Sequence, residues 1–203
     1  MAKSDLPTRG HFPKVKLGKK VPKKAEALLI AAFKGDDGLE LPGTTLLEGA
    51  ALRSTYEALI AVGATGKTGE VTRVPAPAKA GVASIIAVGL GDAEEVDDET
   101  LRRAAGQAAR SITKIDAVAT SLGDFGVAPV VEGLILGGYK YSGLRSESAA
   151  ASTTYTVVAG KSSQEDFDNA KITAESVLIA RDLVNTPSNP GSYTHLRAHA
   201  TRQ

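Results

Sequence analysis

The chain has 203 residues, of which 42% are hydrophobic and 23% are charged, so global disorder is excluded and one large domain can form a core. Cysteine is absent, which excludes disulfides, thiolate metal ligands and a cysteine nucleophile and suits a reducing, cytoplasmic location. No run approaches the roughly 18 apolar residues of a membrane span, and no apolar signal-peptide segment is found at the N-terminus.

The net charge of +1 hides an uneven distribution. Residues 1–24 hold eight basic side chains against the single acid Asp5, with proline and glycine among the lysines. This composition predicts a solvated, disordered basic arm. A weak contact with nucleic acid or a membrane surface is the alternative, although no aromatic residues alternate with the lysines to stack on bases.

The rest of the chain predicts strands that alternate with helices. Thr45 and Glu48 have the spacing of a capping box before the first helix, and Ser162 and Glu165 have it before the last. The predicted strands span 25–33, 70–74, 82–91, 115–122 and 154–160. The predicted helices span 46–62, 97–112, 129–142 and 164–184.

This alternation predicts an α/β layered fold with a mixed, largely parallel sheet. Gly133 and Gly137 are four residues apart in the third helix and would allow another backbone to approach closely. The last helix, 164–184, carries apolar residues on more than one side, which is typical of a helix between two bodies.

The segment AVGATGKT, 61–68, resembles a phosphate-binding loop that would use Lys67 and Thr68. Such a loop runs from a strand into a helix, so that the helix N-terminus faces the phosphate. Here a helix precedes the loop and a strand follows it. The sequence therefore favours a flexible helix-to-strand turn.

The segment VGLGD, 88–92, runs from a strand towards a helix, as a dinucleotide-binding turn would. Glu94 occupies the third glycine position of that motif. Asp92, Glu94 and Glu95 would also repel a phosphate. A tight turn after a buried strand is the better interpretation.

The histidines give no clear site. His195 and His199 in HLRAH have the helical spacing of zinc peptidase ligands, but Leu196 replaces the glutamate and no third ligand is near. His11 stands alone. The acidic clusters look like helix-entry and surface charges, so we expect no catalytic, cofactor-binding or metal-binding residue in this chain.

Three segments together resemble the N-terminal domain of the leucyl, or cytosol, aminopeptidases. VEGLILGGYKYSGLRS, 131–146, is similar to that family's E-G-x-x-L-x-x-Y helix. ARDLVNTPSN, 180–189, is similar to its A-R-D-L-x-N-x-P-x-N junction with the catalytic domain. VGLGD followed by a helix of the R-R-A-A-G type fits the middle of the same domain.

The resemblance implies a macro-domain-like, three-layer α/β/α sandwich. It also implies a full-length, cytoplasmic homo-hexamer that removes N-terminal amino acids from peptides with two zinc or manganese ions. In that family the metal ligands and catalytic residues follow the junction. The resemblance therefore places none of them in this chain, and we expect the chain itself to be inactive.

The same resemblance suggests a division of the chain. After the arm, residues 25–163 form the macro-like domain, and residues 164–189 form the long helix and the junction to a catalytic domain that would cover helix 164–184. The family pattern stops after Pro190, so residues 190–203 are interpreted as a foreign tail.

Two alternatives remain open at this point. One is a free-standing macro-like module that holds an ADP-ribose-type ligand near the strand-end loops 88–92 and 123–127. It rests on fold similarity alone, and fold does not fix function. The other is a nucleic-acid contact through the basic arm.

Overall fold

The computed structural model describes residues 10–42, 44, 46–78, 80–141, 153–159 and 164–185. Seven strands and four α-helices follow one another in the described ranges. The strands are β1 (Lys14–Gly18), β2 (Ala27–Gly35), β3 (Gly38–Glu40), β4 (Val71–Pro75), β5 (Ser84–Gly89), β6 (Ala117–Thr120) and β7 (Thr154–Val158). The helices are α1 (Gly49–Ala61), α2 (Asp98–Ser111), α3 (Val127–Gly137) and α4 (Gln164–Asn185).

The strands form one sheet in the order β1-β7-β6-β2-β5-β4, and β3 folds back on the end of β2. Neighbours from β1 to β5 in this order pair in parallel, whereas β4 is antiparallel to β5 and β3 to β2. In the central strand, Leu28 lies beside Ile85 of β5 and Ala119 of β6. The predicted mixed, largely parallel α/β sheet is confirmed.

Alternation along β2 divides its side chains between two cores. Leu29 points to the face covered by α2, α3 and α4, and Leu28 and Ile30 point to the face covered by α1, whose Leu59 is fully buried. Each of these leucines and isoleucines contributes about 1.5–3 kcal/mol by leaving water. Helices on both sides of the sheet give three layers.

The helix α2 begins where its sequence predicts. The carboxylate of Asp97 accepts a 2.7 Å hydrogen bond from the amide of Thr100, which satisfies one of the free N–H groups of the first turn. Acidic residues follow in that turn and Arg110 lies in the last one, as the helix dipole favours.

The prediction that residues 1–24 form a disordered arm is wrong for part of its described range. Lys14–Gly18 is β1, which pairs in parallel with β7 at the sheet edge. Val15 and Leu17 pack on the core, and Lys14 and Lys16 are exposed. The high lysine content made this short strand of alternating apolar and basic residues difficult to predict. Exposed lysines on an edge strand also disfavour its pairing with other chains.

Two further differences from the sequence prediction lie at the start of α1. The helix α1 begins at Gly49 after Glu48, without a side-chain cap, so the expected helix start near residue 46 is corrected. Instead, the hydroxyl of Thr44 accepts hydrogen bonds from the amides of Leu46 and Leu47 at 2.9 and 3.1 Å. These bonds favour a separate turn before the helix. Thr45 and Ser162 lie outside the described residues.

Candidate functional site

The AVGATGKT segment forms the turn between α1 and β4. The amide and the hydroxyl of Thr65 both donate to one carboxylate oxygen of Glu70, each at 2.9 Å. Partial burial raises the pKa of Glu70, but these bonds and the amides of Gly66 and Lys67 outweigh burial and hold the pKa below its usual value. The loop thus wraps a carboxylate of the chain itself, which gives phosphate binding by Lys67 and Thr68 no support.

The glycines around this loop are needed for close backbone packing. A Cβ atom at Gly66 would collide with the carbonyl group of Phe33, and one at Gly89 would collide with the carbonyl group of Lys67. Gly66 also has a φ of +73°, which side chains rarely adopt. The glycine pattern therefore reflects how the loop packs on the ends of β2 and β5.

The VGLGD segment forms a tight turn, as predicted. The carbonyl of Gly91 accepts a 2.9 Å hydrogen bond from the amide of Lys34. The carboxylate of Asp92 accepts a 3.0 Å hydrogen bond from the amide of Glu94 and caps a short 3-10 helix. Asp92 has a structural role in this turn.

A cleft of about 620 Å³ lies beyond the carboxyl ends of β2 and β5, and we call it the strand-end cleft. The ring of Phe125, from the loop 123–127, packs edge-on against Phe33 with 5.6 Å between ring centroids. Both loops of the ADP-ribose alternative therefore meet at this edge. The cleft is lined by two lysines and three carboxylates, and this excess of negative charge disfavours the binding of a diphosphate. The lining residues are Lys34, Gly35, Asp36, Lys67, Thr68, Gly91, Asp92 and Glu95.

Metal ligands do not cluster in the described part of the chain. No group of three or more histidine, cysteine, aspartate or glutamate side chains there could hold a metal ion. The backbone of His11 exchanges two hydrogen bonds of 2.7 Å with Lys140. His195 and His199 lie outside the described residues. None of the described helices is both long and apolar enough to cross a membrane.

Residues of the 131–146 segment fasten α3 to α2. The guanidinium of Arg102 donates to Glu132 and to Glu99, each at 2.6 Å. These hydrogen bonds raise the pKa of Arg102, the bond with Glu132 most of all.

Two glycines of α3 allow its backbone to approach that of α2. A Cβ atom at Gly133 would collide with the carbonyl group of Arg102, and one at Gly137 would collide with the backbone of Gly106. The predicted close approach at both glycines is confirmed.

Residues of the 180–189 segment fasten the end of α4 to the end of α3. The hydroxyl of Tyr139 donates to Asp182 at 2.7 Å, and the same carboxylate oxygen accepts the amide of Gly10 at 2.9 Å. Arg181 donates to the carbonyl of Leu136 at 2.8 Å and lies 5.7 Å from the centroid of the Tyr139 ring. Burial, followed by the bond to Asp182, raises the pKa of Tyr139, so its hydroxyl stays a donor. We call these residues the α3–α4 clamp.

The helix α4 has one buried and one exposed apolar side. Its buried side chains follow helical spacing and belong to the core on that face of the sheet: Phe167, Ala170, Ala174 and Leu178. Ile172, Ile179 and Leu183 lie on the opposite side, which we call the outer face, and are 64%, 50% and 45% exposed. The predicted two-sided character of this helix is confirmed.

Sequence reasoning identified the segments of the clamp but assigned their residues no contacts. Tyr139 and Asp182 are 43 positions apart, and no local pattern relates them. The resemblance of both segments to one family was the only sequence signal that connected them. The contacts of the clamp hold three pieces of chain together.

Comparisons with known proteins agree with this picture. Residues 30–148 match the model of the cytosol aminopeptidase family, N-terminal domain. A probable cytosol aminopeptidase of Corynebacterium diphtheriae is 44% identical over 200 residues, covering 95% of this chain and 40% of the relative. That of Corynebacterium glutamicum is 46% identical, covering 93% of this chain and 39% of the relative.

Solved structures show the same fold. A tomato leucine aminopeptidase variant superposes with a TM-score of 0.67 and 18% identity, covering 96% of this chain and 42% of that chain. The bottromycin maturation enzyme BotP, in complex with Mn, gives 0.61 and 22%, covering 86% of this chain and 35% of that chain. The chain thus spans about 40% of the length of the curated relatives that it matches. It belongs to the cytosol aminopeptidase family and corresponds to that family's N-terminal domain.

Proposed function

We propose that the chain is the non-catalytic N-terminal domain of a two-metal leucyl aminopeptidase that removes N-terminal amino acids from peptides. The observation that carries this proposal is the outer face of α4, an apolar surface on the last described element. The matched part covers only about 40% of the length of the relatives, and the family model that matches is that of the N-terminal domain. The partner for the outer face is therefore the catalytic domain of the longer protein.

The position of the outer face supports this partner. Ile172, Ile179 and Leu183 form one stripe, while the clamp holds the other side of α4 against α3. Because each side chain is already partly covered, burying the exposed remainder would contribute about 1 kcal/mol for each one. Because α4 leads directly into the junction segment, a domain that follows it can reach this stripe without a long linker.

The metal ions of the proposed enzyme do not fit the described residues of this chain. Zinc or manganese requires several histidine or carboxylate ligands that converge on one point. The described side chains supply no such group, and the strand-end cleft carries lysines beside its carboxylates. We therefore assign the metal chemistry to the catalytic domain and no catalytic step to this chain.

The experiment that tests this assignment is an activity assay. The purified 203-residue chain should release no product from leucine p-nitroanilide above a buffer control, with either zinc or manganese added. The Corynebacterium diphtheriae relative, assayed alongside, controls for substrate and metal loading. Metal-dependent release by the short chain would overturn the proposal.

Other features of the family remain proposals for the longer protein. They include its cytoplasmic location, its hexameric assembly and its peptide substrates. The divisions at residues 163 and 189 and the foreign origin of 190–203 also stay predictions, whereas the boundary at residue 24 does not hold for β1, which belongs to the sheet. The ADP-ribose alternative finds little support in the mixed charge of the strand-end cleft, and the nucleic-acid alternative rests on the basic charge of the arm alone.

A further inference from the structure

A second cavity lies at the edge of the sheet where the parallel strands begin, opposite the strand-end cleft. It encloses about 290 Å³, and Phe12, Ile112 and Tyr155 supply apolar wall. His11, Lys114 and Lys140 add polar groups to the lining. We call this space the basal cavity. Its volume is close to the lower end of the range for small-molecule sites.

The charge of the basal cavity is one-sided. Lys114 and Lys140 are exposed, and within the described part of the chain they form no ion pair and no acidic residue lines the cavity. The helices α2 and α3 end beside it, at Ile112 and Gly138. Each helix end carries about half a negative charge. Two lysines exceed these two half charges, so the cavity remains electropositive.

The backbone of Lys114 points to a use for its side chain. Lys114 has a φ of +59° and is the only non-glycine residue in the described ranges with a positive φ. L-amino acids adopt this conformation at a cost that glycine avoids. A strained residue that lines a cavity is a candidate for function. Glycine at this position would adopt the positive φ without strain, but only lysine places a cation at the cavity.

The position of Lys140 is fixed by other contacts. Its backbone exchanges two 2.7 Å hydrogen bonds with His11, which ties the N-terminal segment to the end of α3. The neighbouring Tyr139 belongs to the α3–α4 clamp. The two lysines therefore reach the cavity from separate segments of the chain, so that an anion could lie between them.

We propose that the basal cavity binds a small organic monocarboxylate, whose apolar body packs on Phe12, Ile112 and Tyr155 and whose carboxylate lies between Lys114 and Lys140. Ammonium groups form strong hydrogen bonds with a carboxylate, and the apolar wall favours a ring or a branched chain. The cavity is too small for an extended peptide. The site is independent of the proposed aminopeptidase chemistry, which resides outside this chain.

The test uses the whole chain and three probes followed by amide chemical shifts in NMR. Phenylacetate combines the apolar body with the charge, phenylethanol lacks the charge, and acetate lacks the body. We expect saturable shifts at Ile112, Lys114 and Tyr155 with phenylacetate, and binding at least about tenfold weaker for the other two. Absence of saturation with phenylacetate, or equal affinity for phenylethanol, would overturn the proposal.

Variants separate binding from folding. Lys114→Gln should weaken phenylacetate binding several-fold, and Lys67→Gln, at the opposite edge of the sheet, should not. Lys114→Gly should raise the Tm by relieving the positive φ while it also weakens binding. A purely structural lysine would change stability without changing affinity. Unchanged affinity in both Lys114 variants would contradict the proposal.

Discussion

The phenolic hydroxyl of Tyr139 donates a 2.7 Å hydrogen bond to Oδ1 of Asp182, which is 43 residues further along the chain. Tyr139 lies in one of the segments that resemble the aminopeptidase family, and Asp182 lies in another. Their contact joins the ends of α3 and α4 at the point where the chain continues towards the junction. The two segments that resemble the family are thus joined to each other by direct contacts.

Tyr139→Phe should destabilise the chain by about 1–2 kcal/mol, because it removes one partly buried hydrogen bond to a charged acceptor. Asp182→Ala should also be destabilising, since it removes the oxygen that accepts hydrogen bonds from both the amide of Gly10 and the Tyr139 hydroxyl. Urea unfolding measures both. Tyr56→Phe, on the exposed side of α1, is the matched control and should be neutral. The double variant completes the cycle. If its loss of unfolding free energy equals the sum of the losses of the two single variants, the hydrogen bond between Tyr139 and Asp182 contributes nothing to stability.

Gly133→Ala should destabilise the chain by about 1–3 kcal/mol, although alanine is the better helix former by about 1 kcal/mol. The reason is that the new Cβ atom would meet the carbonyl group of Arg102, which a rigid helix backbone holds in place. Gly106→Ala is the comparison, because its Cβ atom would come no nearer than 3.4 Å to its neighbours. Thermal unfolding should rank Gly106→Ala near the parent and Gly133→Ala well below. The reverse order would contradict the packing described for α2 and α3.

Glu70 should make the stability of its loop depend on pH. Its pKa in the folded chain is below the usual value of 4.5. A depressed pKa gives stabilisation that is present above the unfolded pKa and is lost as the pH falls through the folded pKa. The Tm difference between the parent and Glu70→Gln should therefore shrink between about pH 6 and about pH 3. A difference that stayed constant over this range would show that the carboxylate is not the stabilising form.

The fold class followed from the sequence because the signals were local. The continuous apolar run that became β2, the acid-to-base order of α2 and the two glycines of α3 each act within one element. The direction of the AVGATGKT loop, from helix to strand, was also enough to argue against phosphate binding. The two sides of α4 could be recognised because three consecutive apolar residues cannot share one helix face.

The features that were missed depend on distant partners. The sequence did not predict β1 because lysines dominate its composition. Only with β1 paired to β7 is Val15 buried and Leu17 partly buried against the core. The turn at Thr44 replaced the expected capping box because its hydroxyl bonds to the amides just before the helix. The clamp and the basal cavity are formed by segments more than 10 residues apart, so no sequence period could indicate them.

The outer face of α4 should make the isolated chain self-associate. Ile172, Ile179 and Leu183 are each about half exposed or more, and adjacent exposed apolar side chains favour association. Sedimentation of the parent should show species larger than a monomer that disappear when Ile179 and Leu183 are changed to glutamate and lysine. Arg53→Glu, at an exposed position of α1 on the other side of the sheet, is the control and should sediment as the parent does. A monomeric parent would mean that this face needs no cover.

The most direct test of the account joins this chain to a catalytic domain. Residues 1–189 would replace the matching part of the Corynebacterium diphtheriae relative, with which the chain is 44% identical. We predict that the chimera releases leucine from leucine p-nitroanilide in the presence of metal. We also predict that charged substitutions at Ile179 and Leu183 lower its Tm and its activity, because a loss of about 1.4 kcal/mol at the interface would shift the docking equilibrium of the two domains about tenfold. A substituted chimera as active and as stable as its parent would contradict the claim that the outer face of α4 binds the catalytic domain.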